Sequence, residues 1–206
     1  MSSFTIRRAR LGDRKAADYI CMKTGDSGDD GEPFFREDPG ALGRIYVGPY
    51  LALESELAFV LEDDQGVCGY TFGAFDSRVF YARYERQWRP DLCAQFPRPT
   101  SDSTTWNRVQ LVHHWYHEPN YFCPEPYDEY PSHLHIDLLE RAQGQGNGRR
   151  LLERLMHQLR QRGSPGVHLG VRTRNTRAIG FYHALGFREL IATAEDVYMG
   201  KKFDLQ

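Results

Sequence analysis

The chain has 206 residues, a formal net charge of −2 and 13% aromatic residues, which suits one domain over 1–206 and argues against nucleic acid as an obligate partner. No apolar run approaches the roughly 20 residues of a membrane span, and the N-terminus M-S-S-F-T-I-R-R-A-R lacks a secretion signal's apolar core, so no membrane partner is expected. Cys21, Cys68, Cys93 and Cys123 form no C-x-x-C pair and read as free thiols in a reducing cytoplasm.

In chain order, Phe4 to Arg8 reads as a first strand. Gly12-Asp13 introduces a helix over about Arg14 to Lys23, with Asp13 as N-cap. Thr24 to Glu37 is polar and glycine-rich with an acidic run, the pattern of a mobile loop carrying Phe34 and Phe35. Asp38-Pro39 reads as N-cap and first residue of a helix through about Val47. Ala58 to Glu62 and Val67 to Phe75 are strands joined by D-D-Q-G, a hairpin.

Asp76 to Ser132 carries Tyr81, Tyr84, Trp88, Phe96, Trp106, Trp115, Tyr116, Tyr121, Phe122, Tyr127 and Tyr130. A long segment with no obvious core of its own reads as a lid or binding loop, or as aromatics packed onto a sheet. His113, His114 and His117 have no Cys or carboxylate at zinc-finger spacing, so no metal is expected.

His133 to Leu139 alternates Leu134, Ile136 and Leu138 against His133, His135 and Asp137, a strand with one apolar face. Gly144, Gly146 and Gly148 follow, then Leu151, Leu152, Leu155, Met156 and Leu159 recur at helical spacing from Arg149 onward. A glycine loop feeding a helix N-terminus is an anion site, because unpaired N–H groups and the positive helix end converge there. A phosphate or pyrophosphate is the expected anion. No Lys-Ser or Lys-Thr completes a P-loop, and G-x-G-x-G is not the dinucleotide fingerprint. Gly166 to Val171 reads as another strand. Asn175 to Phe187 follows as a helix, with Ala178, Phe181, Tyr182 and Leu185 on one face and Gly186 at its C-terminal cap.

The glycine loop resembles the [QR]-x-x-G-x-[GA] signature of the GNAT superfamily of acetyl-CoA-dependent N-acetyltransferases, in two registers: Arg141-Gly144-Gly146 and Gln143-Gly146-Gly148. N-T-R-A-I-G-F-Y-H-A-L-G-F over Asn175 to Phe187 is similar to that superfamily's second motif. Gly48-Pro49-Tyr50, the D-Q-G-V-C-G-Y-T-F-G hairpin, the aromatic segment and H-L-H-I-D-L-L resemble bacterial GNAT proteins similar to the acetyltransferase-like C-terminal domain of O-GlcNAcase.

The resemblance implies an α/β (α+β) GNAT fold, a mixed twisted sheet flanked by helices, with 76–132 as an insertion before the glycine-loop strand. It implies transfer of an acetyl group from acetyl-CoA to an amine of a small molecule or peptide by direct attack on the thioester. The competing function is a non-catalytic acyl-CoA-binding or partner-binding module, and a homodimer is among the expected partners. For the cofactor it implies Leu138, Leu139, Gln143, Gly144, Gln145, Gly146, Asn147, Gly148, Arg149, Arg150, Asn175 and Tyr182, with Tyr182 also the general acid. For the base, the polar face of the glycine-loop strand offers His133, His135 and Asp137. Either the insertion buries and hydrogen-bonds that row, or the row lines the acceptor pocket. The expectation is that part of Arg78 to Tyr130 walls this pocket, with Glu118, Glu125, Asp128 and Glu129 as partners for an ammonium group.

Overall fold

The computed structural model describes residues 3–119, 121 and 128–204. Phe122, Cys123, Glu125 and Tyr127, named above, lie outside the described residues. Seven strands form one sheet in the order β1-β2-β3-β4-β5-β7-β6: β1 Thr5–Arg8, β2 Ala58–Asp63, β3 Gly66–Ala74, β4 Ser132–Leu138, β5 Gly166–Arg172, β6 Arg188–Ala192 and β7 Asp196–Lys202. All neighbours are antiparallel except β4 and β5, which run parallel. That is the mixed α/β sheet expected.

The register sorts the side chains into two faces. Asp137, His135 and His133 pair with Tyr70, Phe72 and Ala74 of β3, and His133 pairs with His168 of β5. Because side chains alternate along a strand, these groups share one face. It is covered by α1 Arg14–Lys23, by α3 Gly43–Tyr46 and α4 Gly48–Leu53, and by helices of the 76–132 segment. Tyr70, Phe72, Phe80 and Tyr50 are all buried in that cluster. On the opposite face Phe59, Leu61, Leu134, Val167 and Leu169 meet α8 Asn147–Gln161 and α9 Thr176–Ala184. Leu151, Leu152, Leu155 and Leu159 have no exposed surface, as the helical spacing required. Leu155→Ala should cost about 2–5 kcal/mol, the range for truncating a buried leucine that leaves a cavity. Chemical denaturation of the two proteins measures it.

Three local expectations are corrected. Asp13 occupies the N-cap position of α1 without a side-chain cap bond. Its carboxylate instead takes Arg7 at 2.7 Å and the Arg10 N–H at 2.7 Å. Asp38 caps no helix: it pairs with Arg44 at 2.6 Å and His113 at 2.9 Å, and the region holds only the short α3 and α4. Val47 separates those two at φ −123° and ψ −60°, off the helical basin. The stretch expected to be a mobile loop is anchored by α2, Glu32–Phe35, with Phe35 buried and Phe34 exposed. Its acidic run is ion-paired, Asp30 and Glu32 with Lys23 and Asp26 with Arg108 and Arg174.

The described part of the 76–132 segment is built on helices rather than loop alone: α5 Ser77–Gln87, α6 Arg89–Gln95 and α7 Arg108–His117. Most of its described aromatics pack inward, Tyr84 and Tyr116 among the most buried. His113 contacts Asp38, and the His117 ring nitrogen contacts the Phe96 carbonyl at 2.8 Å, so the histidines face different partners.

Candidate active site

The parallel ladder between β4 and β5 has two residue pairs, Ser132 with Val167 and His133 with His168. Beyond them β5 continues on β7, while β4 continues on β3 as far as Leu138 with Gly69. The two strands therefore part, leaving β4 with an unladdered backbone edge facing β5. Leu139 donates its N–H to the Cys68 carbonyl on the β3 side at 2.9 Å. Alternation then turns the N–H and C=O of Ile136 and Leu138 toward the open edge. Leu139, expected at that edge, has its N–H on the opposite one.

At the carboxyl end of β4, Gly144 and Gly146 take φ of +72° and +76°, a region that L side chains enter only at a cost. A Cβ at either would meet nothing within 4 Å. The loop thus turns α8 so that its first-turn N–H groups, with those of Gly144 and Gln145, have no backbone acceptor among the described residues. This is a cradle for an anion, with no acidic side chain in the first turn of α8 to oppose one.

The side chains divide into those that build the cradle and those around it. Asn147 is buried, giving Nδ2 to the Ala142 carbonyl at 3.0 Å and taking Arg150 on Oδ1 at 3.1 Å. It pins the loop from inside. Gln143 gives Nε2 to the Leu138 carbonyl at 2.8 Å and takes Arg177 on Oε1 at 2.7 Å. Gln145 is exposed and reaches the Arg141 carbonyl. Arg149 lies on the surface against Glu153 and the Ala184 carbonyl. Gly148 approaches Phe181, whose Cζ would lie 3.2 Å from an added Cβ. Asn175 caps α9 by accepting the Ala178 N–H at 3.1 Å, and its Nδ2 lies against Gly28.

The polar row on β4 does not act as a unit. His133 is buried, with Nε2 on Tyr50 Oη at 2.8 Å and Nδ1 on Ser77 Oγ at 2.7 Å. It stacks on Tyr81 at 5.1 Å between ring centroids, so the insertion covers this member. Burial, then His168 and His135, hold it well below the usual histidine range. His135 is partly exposed, with Nε2 on Tyr50 Oη at 2.9 Å. Burial and His168 push it down to about 4. Asp137 accepts the Tyr70 hydroxyl. Burial pushes its carboxyl up to about 6, against hydrogen bonds from Tyr70 and Thr24 that pull it down. Tyr182 is 8% exposed, and its phenol is raised by burial and by the Asp137 charge.

Among the described residues, the groups in contact with Asp137 and His135 include several from outside the 76–132 segment. Thr24 and Tyr70 bear on Asp137, and the Tyr46 ring meets His135 edge-on at 5.1 Å. Among the described residues, the ring contacts of Tyr182 go to Phe181 and Phe187. Of the expected wall of insertion side chains, Phe80 and Tyr81 stand against His133; residues 122–127 of that segment lie outside the described residues. Glu118, Asp128 and Glu129 are spent on Arg98, Arg78 and Lys202 at the surface. Thr24, Tyr46 and Ser77 had no sequence signal, and Tyr50 and Tyr70 stood in motifs read only for the resemblance, because each reaches the site through tertiary packing.

A mixed sheet parted between two parallel strands, with unpartnered N–H groups at the end of one of them, can hold a phosphorylated ligand. The chain belongs to the acetyltransferase (GNAT) family, whose family model matches residues 28–187. The crystal structure of SsHAT is 37% identical with a TM-score of 0.89, covering 97% of this chain and 98% of that one. Protein O-GlcNAcase of Rattus norvegicus is 28% identical over 188 residues, 91% of this chain and 20% of that protein. The chain thus spans about a fifth of the length of the curated relatives it matches. yncA of Salmonella typhimurium, solved with its cofactor acetyl-CoA, has a TM-score of 0.54 at 16% identity over 98% of this chain and 95% of that one, which shows the fold alone.

Proposed function

We propose that the protein acetylates an amine with acetyl-CoA, using Asp137 as the base and Tyr182 as the acid. The observation that carries this reading is the coincidence of the parted strands, the orphan N–H cradle and these two groups at one end of β4. Gly144 to Arg149 would hold the pyrophosphate on backbone N–H groups, and the Ile136–Leu138 edge would pair with the amides of the pantetheine arm as an added strand would. Acetyl-CoA supplies a thioester carbonyl for the amine to attack.

Two protons must move. An ammonium acceptor is inert until it loses one, and Asp137, ionised at neutral pH, takes it. His133 has both ring nitrogens committed, and the His135 ring, pushed down to about 4, is a weak base at pH 7. Asp137 is closer to the matched range. When the C–S bond breaks, the departing thiolate needs a proton, and the raised Tyr182 phenol still carries one. The acceptor is an amine of a small molecule or a peptide. The test is thiol release from acetyl-CoA across a set of amines and lysine peptides. Amine-dependent release supports the enzyme, and binding without release under any amine supports the non-catalytic module.

The Asp137 shift has a signed consequence. The folded state holds this proton up to about 6, above the usual aspartate range, so ionisation at neutral pH costs native stability. That cost is absent at low pH and fully present once pH has risen through about 6. Activity runs the opposite way, since the base must be ionised: kcat/KM should fall as pH drops below about 6. Asp137→Asn should remove that limb with most of the activity, yet leave the protein as stable as the parent or more so at pH 7. Rate–pH profiles and thermal unfolding of both proteins check the two halves.

A further inference from the structure

We propose that Ser77, His133 and Tyr50 are positioning residues that hold His135 as its Nε2–H tautomer and so present a bare Nδ1 to the acceptor amine beside Asp137. The inference rests on the acetyltransferase reading for its purpose, and on donor counting for its substance. Ser77 Oγ lies 2.7 Å from the Pro131 carbonyl and 2.7 Å from His133 Nδ1. A carbonyl only accepts, so the one hydroxyl hydrogen of Ser77 goes to Pro131, and Oγ must accept from His133 Nδ1–H. His133 is buried among Tyr50, Phe80 and Tyr81 rings, where the neutral ring is favoured. Its Nε2 is therefore bare.

Tyr50 Oη contacts two ring nitrogens, His133 Nε2 at 2.8 Å and His135 Nε2 at 2.9 Å. One phenolic hydrogen cannot serve both. It goes to the bare His133 Nε2, so His135 Nε2 must bring its own hydrogen and donate to Oη. In the neutral ring of His135, Nδ1 is then an acceptor. It is not among the buried atoms left without a partner, a group that holds only His114 Nδ1 among the described residues.

This arrangement bears on how the amine is held. His135 and Asp137 lie two residues apart on one strand face. Once Asp137 has taken one ammonium proton, an N–H left on the nitrogen can be donated to His135 Nδ1, which leaves the lone pair for the thioester.

The test is imidazole nitrogen NMR of the full chain, with His133 and His135 resonances assigned from His133→Gln and His135→Gln variants. His133 is expected protonated at Nδ1 alone and His135 at Nε2 alone. Tyr50→Phe should replace the single tautomer of His135 with a mixture. Ser77→Ala should do the same from across the relay, and serves if the tyrosine variant folds poorly. A His135 protonated at Nδ1 in the unaltered protein, or one left unchanged in the variants, overturns the inference. The measurement needs no turnover, so its failure is distinct from failure to release thiol.

Discussion

Tyr182→Phe is expected to lower kcat by about 10²–10⁴-fold, the usual worth of a positioned proton donor, while acetyl-CoA affinity changes little. The change removes one oxygen from a ring that stays buried in its cluster with Phe181, Phe187 and Leu185. Packing is preserved, so the effect reads the hydroxyl. Among the described residues no side chain offers that hydroxyl a hydrogen-bond partner, which leaves it available to a departing thiolate. Steady-state kinetics with acetyl-CoA binding measured separately divides the two parameters. An unchanged kcat would reassign Tyr182 to the core.

The second large effect belongs to Gly146, where a valine should abolish acetyl-CoA binding. At φ +76° an L residue costs about 1–2 kcal/mol, and a β-branched one is a greater outlier. Added atoms would also stand in the open space beside the N–H groups of the α8 first turn, which a phosphate must approach. Relaxation of the turn to a right-handed φ would rotate those N–H groups away from a common point. Calorimetry should find the parent binding and the variant not, with circular dichroism showing α8 intact. Retained affinity would place the pyrophosphate elsewhere.

Legibility from sequence followed the range of the interactions. The β4 strand, the glycine turn and α8 are encoded by residues within a few positions of one another, and they stand where the sequence pattern put them. Asp38-Pro39 misled because the same dipeptide that opens helices can open a turn, and the partners of Asp38 include His113, 75 residues away. The fate of the β4 polar row was unreadable for the same reason. His133 is buried by Tyr50 and Ser77, 83 and 56 residues distant, while Asp137 meets Tyr70, 67 residues away. One alternating pattern thus holds a structural histidine at one end and a raised carboxyl at the other. The aromatic segment read as loop because no periodicity stood out in it, yet Phe80, Tyr84 and Tyr116 are buried in helices. Phe80 packs against His133, while Tyr46 meets His135 and Thr24 bears on Asp137.

The account turns on where acetyl-CoA sits, and a crystal structure of the complex measures that directly. The prediction is a pyrophosphate on the N–H groups of Gly144 to Arg149, the pantetheine arm along Ile136 and Leu138 between the parted strands, and the thioester within reach of Tyr182 and Asp137. A cofactor bound on another face, or a thioester remote from both side chains, would contradict it.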